Sequence, residues 1–248
     1  MSLLQCDHLV VGYDGCKEKS GSGLVAPFAF ELNAGEVVAL MGENGCGKST
    51  LLKTFAGMIP PLTGNVTLLQ KKSWTARERA KFVALVRMGY MSNASFERMT
   101  VHEFVGLGRT PYVGLFDGHS AEDNRIVDEA LNLLELSGFA ARWMSELSDG
   151  ERSRVFLAMA VAQQVKVLLL DEPNAFLDIP RSHALFRLLK KIAVERQMGI
   201  VVSTHSVEYA ERYCDKIMVV NGGTVKVASA ADARKNGLLD WTEICDAL

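Results

Sequence analysis

The feature that most constrains this sequence is a glycine-rich segment that follows a short apolar run. The apolar run is Val37 to Met41, and the segment after it reads Gly42-Glu43-Asn44-Gly45-Cys46-Gly47-Lys48-Ser49-Thr50. It matches every fixed position of the phosphate-binding loop (P-loop), whose glycines let successive backbone N–H groups face phosphate oxygens. The apolar stretch from Leu51 to Ala56 then indicates a helix, whose positive N-terminal end adds to the attraction. The sequence therefore predicts a strand, a loop and a helix that together bind nucleotide phosphates.

Two residues of the loop have more specific predicted roles. The Lys48 ammonium is expected to reach the β and γ phosphates, and the Ser49 hydroxyl is expected to bind Mg²⁺. The whole segment from Gly42 to Thr50 is predicted to contact nucleotide. The alternative is a chance glycine-rich turn, but a full match between an apolar strand and an apolar helix argues against it.

The distribution of apolar runs predicts an α/β fold. Helical segments lie between many of these runs, which is typical of a largely parallel sheet covered by helices. From about Thr100 to Val165 strand signals are weak and helical periodicity takes over, which indicates a helical lobe inserted into the sheet domain. The predicted strands are Leu9 to Val11, Phe28 to Leu32, Val37 to Met41, Val66 to Leu69, Phe82 to Val86, Val167 to Leu170, Ile200 to Ser203 and Ile217 to Val220.

An acidic segment elsewhere in the chain indicates which reaction the bound nucleotide undergoes. The apolar run Val167 to Leu170 ends in Asp171 and Glu172. Asp171 at the strand end is predicted to hold Mg²⁺, and Glu172 is predicted to polarise the water that attacks the γ-phosphate. An acidic turn without function is the alternative, and it is the weaker one once a P-loop lies in the same chain.

Composition bounds the remaining classes. The chain has 248 residues and a formal net charge of -2, so no electrostatic feature favours nucleic acid as a partner. No apolar run approaches the roughly 20 residues that span a bilayer, and the start lacks the pattern of a secretion signal, so a cytoplasmic location is expected. The five cysteines are scattered without a C-x-x-C pair, which indicates neither disulfides nor zinc.

The segment Leu147-Ser148-Asp149-Gly150-Glu151-Arg152 carries a resemblance to the ATP-binding cassette (ABC) ATPase family. The family signature reads LSGGQ, so Asp149 and Glu151 depart from it. Ser148 and Gly150 can still offer a hydroxyl and N–H groups to a γ-phosphate at a helix N-terminus, whereas Asp149 places a carboxylate near that anion. Taken alone, the same residues would also form a helix-capping turn.

The resemblance covers nearly the whole chain and extends to three further residues. Tyr13 resembles the aromatic side chain that stacks on adenine, although a half-buried strand tyrosine is an equally good interpretation of that residue alone. Asp178 resembles the D-loop aspartate, which is a nucleotide-site residue in the family. His205 resembles the switch histidine, which implies a contact to the γ-phosphate and to the water held by Glu172.

The resemblance also implies an architecture and partners. The fold class is an α/β P-loop sheet core with an antiparallel β subdomain and an inserted helical subdomain, approximately residues 89–165, within a single domain spanning 1–248. ATP with Mg²⁺ would lie between the P-loop of one copy and the signature of the other in a head-to-tail homodimer. The dimer would be peripheral on the inner face of the cell membrane, bound to integral-membrane permease subunits, and hydrolysis would drive motion.

One family residue is missing. Ala84 to Met88 aligns with the Q-loop, which places Met88 where a glutamine would normally touch Mg²⁺ and the attacking water. Either Asn93 substitutes for it, or the protein relies on Glu172 and His205, and we favour the second hypothesis.

The segment Met99 to Tyr112 resembles ATPases of iron-siderophore, haem and cobalamin importers. Within that family the lobe receives a permease helix, so Phe96, Phe104 and Tyr112 are candidate contacts, with Phe104 better interpreted as core. Two other functions remain: a non-transport ABC ATPase that clamps nucleic acid, and a slow regulatory ATPase. The first usually shows paired cassettes, a coiled-coil insert or a basic face, and none is evident.

Overall fold

The protein contains two β-sheets with helices around them. The computed structural model describes residues 1–13, 23–87, 94–113, 118–175 and 177–239. The strands are β1 (Ser2–Val10), β2 (Phe28–Asn33), β3 (Val37–Gly42), β4 (Thr63–Leu68), β5 (Val83–Arg87), β6 (Val167–Asp171), β7 (Gly199–Ser203), β8 (Lys216–Asn221) and β9 (Thr224–Ser229).

The larger sheet has six strands in the order β5-β6-β7-β3-β8-β9. Every pairing from β5 to β8 is parallel, and β9 alone runs antiparallel to its neighbour. All residues of β3, β6 and β7 are buried, because helices pack on one face and the smaller sheet with the helix Lys48–Phe55 packs on the other, so both faces must be apolar. Parallel order brings the carboxyl ends of these strands to one edge of the sheet.

The smaller sheet is antiparallel and has the order β2-β1-β4. Its inner face packs through Leu4, Leu9, Phe30 and Leu32 into a core that also includes Val38 and Leu40 of the central strand. The predicted α/β fold class with an antiparallel β subdomain is thus confirmed.

The helices fill the remaining structure. They are α1 (Lys48–Phe55), α2 (Ala76–Ala80), α3 (Ala94–Glu97), α4 (Val101–Gly106), α5 (Ala121–Leu133), α6 (Asp149–Ala162), α7 (Ile179–Arg196), α8 (Val207–Tyr213) and α9 (Ala230–Ala233), with 3-10 turns at Leu107–Arg109, Ser137–Phe139 and Met144–Glu146. None of those within the described ranges is long and apolar enough to cross a membrane.

Helices α3 to α6 follow β5 and precede β6, where the sequence predicts a helical lobe. A buried ion pair joins two of its segments: Arg109 Nε lies 2.8 Å from Asp123 Oδ1, and Arg109 Nη1 donates to the carbonyl of Ala162. The turn that carries Arg109 also approaches α6 closely at Gly108, since a Cβ on Gly108 would lie 2.3 Å from the carbonyl oxygen of Met159. The boundaries of a helical subdomain and the single-domain assignment stay predictions.

The largest differences from the predicted strands lie at β1, β4 and β9. β1 begins at Ser2 and ends at Val10, because a register irregularity between Cys6 and Leu9 interrupts the alternation that a sequence pattern detects. β4 ends at Leu68, since Leu69 has a φ of 49° and cannot continue a strand. β9 was not predicted, because it is an edge strand whose residues are exposed or half-buried.

Candidate functional site

The carboxyl ends of four parallel strands carry the polar residues of the candidate site. β3 leads into the P-loop, β5 ends at Arg87, β6 ends at Asp171 and β7 ends at Ser203. In open sheets of this kind, ligands bind beyond the carboxyl ends of the strands. The structure thus brings the P-loop, the acidic pair and the β7 terminus to the same place.

The P-loop has the backbone that its glycines permit. Gly42 has a φ of 147°, and a Cβ on it would lie 2.3 Å from the carbonyl oxygen of Val220, so no other residue fits. Gly47 has a φ of 109° and forms the N-cap of α1 without any side-chain hydrogen bond to the helix N-terminus. The first N–H groups of α1 therefore remain available to an anion.

Lys48 lies inside the loop that it would serve. Its ammonium is buried and donates to the backbone carbonyls of Gly42 and Glu43, at 2.8 and 2.9 Å. A cation held within a ring of backbone groups is placed for phosphate oxygens, which are stronger acceptors than carbonyls.

Ser49 and Asp171, the two predicted metal ligands, are in direct contact. The Ser49 hydroxyl donates to Asp171 Oδ2 at 2.8 Å, although the residues are far apart in sequence. The Asp171 carboxylate is buried. A hydroxyl and a carboxylate oxygen are hard ligands that suit Mg²⁺, so the residues present fit that ion. No group of three or more His, Cys, Asp or Glu side chains fit to hold a metal occurs in the parts of the chain that the structure describes.

Glu172 and His205, the predicted catalytic pair, also meet. His205 Nε2 lies 3.0 Å from Glu172 Oε1, and both side chains are nearly half exposed. Glu172 has a φ of 51°, in the left-handed region that residues other than glycine rarely adopt. The Glu172 carboxylate contacts His205 whereas that of Asp171 contacts Ser49, so the neighbouring carboxylates have different surroundings.

Sequence reasoning missed Ser203, which connects the two acidic residues. The Ser203 hydroxyl donates to Asp171 Oδ1 at 3.0 Å and accepts from the backbone N–H of Glu172 at 2.8 Å. Ser203 is fully buried. Its signal was a single polar residue at the end of the apolar strand β7, which composition alone does not distinguish from a strand terminus.

The signature segment forms the start of α6. Ser148 is the N-cap, and it forms a reciprocal capping box with Glu151: the N–H of Ser148 donates to Glu151 Oε2 at 2.8 Å, and the hydroxyl donates to the same oxygen at 2.7 Å. These hydrogen bonds from Ser148 lower the pKa of the Glu151 carboxyl. Asp149 is the first residue of α6 and is exposed, where its charge complements the helix dipole.

The signature segment borders a cavity. A cavity of about 400 Å³ lies beside Ser148 and Gly150, and its lining comes from the signature region, from the end of α5 and from α7 with the turn before it. Among the described residues, no member of the P-loop lines it.

The remaining predicted residues have mixed outcomes. Tyr13 lies beyond the end of β1 and is about half exposed, so it is not a strand residue. Asp178 is the N-cap of α7 and accepts from the N–H of Arg181 at 2.9 Å. Cys46 is half-buried against the core of the smaller sheet. The Q-loop prediction cannot be compared with the structure, because Met88 and Asn93 lie outside the described residues.

The chain is similar to known proteins of one family. The family model described as "ABC transporter" matches residues 25–175. The chain is 36% identical over 195 residues to the petrobactin import ATP-binding protein of Bacillus anthracis, covering 79% of this chain and 71% of that one. It is 34% identical over 224 residues to the achromobactin transport ATP-binding protein of Dickeya dadantii, covering 90% and 81%.

A solved structure gives the same fold. That chain is described as part of a metal-chelate type ABC transporter in an inward-facing conformation, and it superimposes with a TM-score of 0.81 at 27% identity. The match covers 94% of this chain and 85% of the other.

Proposed function

The chain belongs to the ABC transporter family as an ATP-binding subunit, a class that hydrolyses ATP, and from this membership we propose that it powers an importer of the iron-siderophore, haem or cobalamin type. The observation that carries the proposal is the convergence of the P-loop, the Ser49–Asp171 contact and the Glu172–His205 contact at one sheet edge. Each group at this sheet edge is assigned to ATP binding, to the metal site or to hydrolysis.

ATP binding is assigned to the P-loop and Tyr13. The uncapped N-terminus of α1 and the Lys48 ammonium supply positive charge for the β and γ phosphates. The exposed Tyr13 ring offers a face for adenine. Lys48 must exchange its two carbonyl acceptors for phosphate oxygens, so nucleotide entry rearranges hydrogen bonds that already exist.

The metal site is assigned to Ser49 and Asp171. A bound Mg²⁺ would neutralise charge on the β and γ phosphates during transfer. The chain itself contributes a hydroxyl and a buried carboxylate, and Ser203 holds that carboxylate by its second oxygen.

Hydrolysis is assigned to Glu172 and His205. The Glu172 carboxylate accepts the proton of the attacking water, and its left-handed backbone directs it away from the metal ligand. His205 contacts Glu172 Oε1 and fixes the orientation of the carboxylate, while its ring remains within reach of the terminal phosphate. Water activation at this site therefore needs both side chains.

The second half of the ATP site is assigned to another copy of the chain. Ser148 and Gly150 begin α6, and one subunit does not place them against its own P-loop. Two copies arranged head to tail would let the signature of each cover the nucleotide of the other, with Asp178 near the interface. The Ser148 hydroxyl already donates to Glu151. When the dimer closes, this hydroxyl must divide its hydrogen bond between Glu151 and the γ-phosphate, or give up Glu151.

The capping box also supports a second candidate, a regulatory ATPase with weak turnover. Asp149 and Glu151 place two carboxylates at the helix N-terminus that would otherwise attract a γ-phosphate. A dimer that closes slowly would follow from this repulsion. The two candidates differ in whether loss of hydrolysis abolishes transport.

Membrane coupling is assigned to the helical lobe, with the protein on the cytoplasmic face of the membrane bound to a permease. Phe104 is 1% exposed and packs against Phe96 and Phe156, so it belongs to the core and is not available to a permease. Phe96 and Tyr112 are partly exposed and remain candidates for that contact. The cargo class is proposed from the petrobactin and achromobactin proteins named above and from the family resemblance of the segment Met99 to Tyr112.

Transport in cells tests the proposal. The source cells would carry Lys48→Ala as their only copy, and uptake of iron-siderophore, haem and cobalamin would be measured against that of cells carrying an exposed control variant, Lys191→Ala. Loss of one of these uptakes in the Lys48→Ala cells alone is expected. Unchanged uptake of all three compounds would reject the importer assignment and would favour the regulatory ATPase.

A further inference from the structure

The Asp171 carboxylate, the proposed metal ligand, has a third partner, Arg87. Arg87 is the last residue of β5 and lies opposite Asp171 in the parallel register. Its Nε lies 3.2 Å from Asp171 Oδ2. The Ser49 hydroxyl donates to the same oxygen.

The environment makes this ion pair stronger than an ordinary surface pair. The Asp171 side chain is 8% exposed, whereas that of Arg87 is 40% exposed. A buried carboxylate is costly unless a cation or hydrogen-bond donors compensate it. Ser203 satisfies Oδ1, and Ser49 and Arg87 satisfy Oδ2, so the chain neutralises its own metal ligand.

We propose that Arg87 is a tethered counter-ion that competes with Mg²⁺ for Asp171 Oδ2 and partly replaces the metal when nucleotide binds without it. Ser49, the other proposed ligand, also contacts Oδ2, so a bound Mg²⁺ would be held at that oxygen and the guanidinium would have to move aside. The inference rests on the proposed assignment of Asp171 to the metal. Arg87 is a positioning residue, since it acts through that carboxylate.

The competition predicts that removing Arg87 changes nucleotide affinity in opposite directions with metal and without it. Removing Arg87 frees Oδ2 and strengthens metal-dependent nucleotide binding. The same change removes a positive charge beside the phosphates and weakens nucleotide binding in chelator. A merely structural ion pair would shift both affinities in the same direction, because its loss would loosen the whole site.

The experiment measures ADP affinity by calorimetry with Mn²⁺ and, separately, with EDTA. The variants are Arg87→Gln, which removes the charge, and Arg87→Lys, which keeps the charge but lacks the planar fork. Arg125→Gln is the matched control, because Arg125 pairs with Glu122 and Glu129 on the exposed face of α5. Thermal unfolding checks that every variant is folded.

The measured quantity is the ratio of the ADP affinity with metal to that without metal. We expect Arg87→Gln to raise this ratio about fivefold over the wild type, the scale of a partly exposed ion pair. Arg87→Lys should raise it less, and Arg125→Gln should leave it unchanged. A ratio in Arg87→Gln equal to or below that of the wild type overturns the proposal. If the wild type itself bound no ADP in the presence of metal, the assignment of the nucleotide site would fail instead.

Discussion

His205 Nε2 lies 3.0 Å from Glu172 Oε1, and the two residues come from the segments that follow adjacent parallel strands. The contact makes His205 a partner of the proposed base. It holds the carboxylate in one orientation while leaving about half of each side chain accessible. We expect substitutions of this pair, and of the residues that position it, to change hydrolysis in the directions that the geometry indicates.

His205→Gln is predicted to slow hydrolysis by about ten- to a hundredfold, because the flexible amide would not hold the Glu172 carboxylate as the imidazole does. ATP affinity should change little, since His205 does not belong to the P-loop. Phosphate release under saturating Mg-ATP checks the rate. His102→Gln is the control, because His102 forms a similar pair with Asp128 on the helical lobe. Equal rates for both variants would remove His205 from the mechanism.

Ser203→Ala is predicted to reduce the hydrolysis rate by about five- to tenfold, since the change removes hydrogen bonds to both Asp171 and Glu172. The metal concentration for half-maximal rate should rise as well, because Asp171 loses a donor that fixes it. Ser182→Ala, which changes a buried serine of α7 that, among the described residues, forms no hydrogen bond with Asp171 or Glu172, is the control. A Ser203→Ala enzyme with the metal dependence of the wild type would show that Ser203 only fills space.

Asp149→Asn is predicted to strengthen ATP-driven pairing of the chain by about two- to fivefold at low ionic strength, because it removes a negative charge from the N-terminus of α6. Salt should diminish the gain. The ATP concentration at half-maximal dimerisation measures it in a hydrolysis-deficient background, with Asp7→Asn on exposed β1 as control. A weaker dimer would indicate that the charge at Asp149 supports the interface.

Asp123→Asn is predicted to destabilise the helical lobe by about 3 kcal/mol at pH 7, because it leaves Arg109 buried without its ion-pair partner. Hydrogen bonds from Ser120 and Arg109 lower the pKa of Asp123 from 3.8 to about 2. The folded state therefore binds this proton less readily than the unfolded state. The stabilisation is complete above pH 3.8 and is lost as the pH falls towards 2.

Urea unfolding between pH 7 and pH 2 measures this dependence. The Asp123→Asn protein should be less stable at pH 7 but should lose less stability on acidification than the wild type. Asp128→Asn changes an exposed aspartate on the same helix and should behave as the wild type does. Parallel pH profiles for Asp123→Asn and the wild type would contradict the assignment.

Much of this architecture followed from residue patterns. The apolar strands predicted the parallel sheet, because strands buried on both faces need continuous apolar runs, and the P-loop match predicted the strand, loop and helix that the structure contains. The start of β1 was missed, since an irregular register breaks the alternation near His8, whose φ is 45°. The edge strand β9 was missed because it buries little.

The contacts that connect the site could not be predicted from the sequence. Ser203 and Arg87 reach Asp171 only because β5, β6 and β7 are neighbours in the sheet, and strand order is not encoded in any local motif. The local conformation of the signature segment, by contrast, could be predicted. Its capping-turn interpretation was apparent from Ser148, Asp149 and Gly150, and the structure contains a capping turn there, in which Ser148 pairs with Glu151.

The central claim is that two copies of the chain close around ATP, and light scattering of the Glu172→Gln protein tests it most directly. Replacing the proposed base should block hydrolysis and preserve the bound state. The account predicts a monomer without nucleotide and a dimer with Mg-ATP, and it predicts no dimer when Lys48→Ala is added to the same protein. A monomer that persists at saturating Mg-ATP would contradict the sandwich.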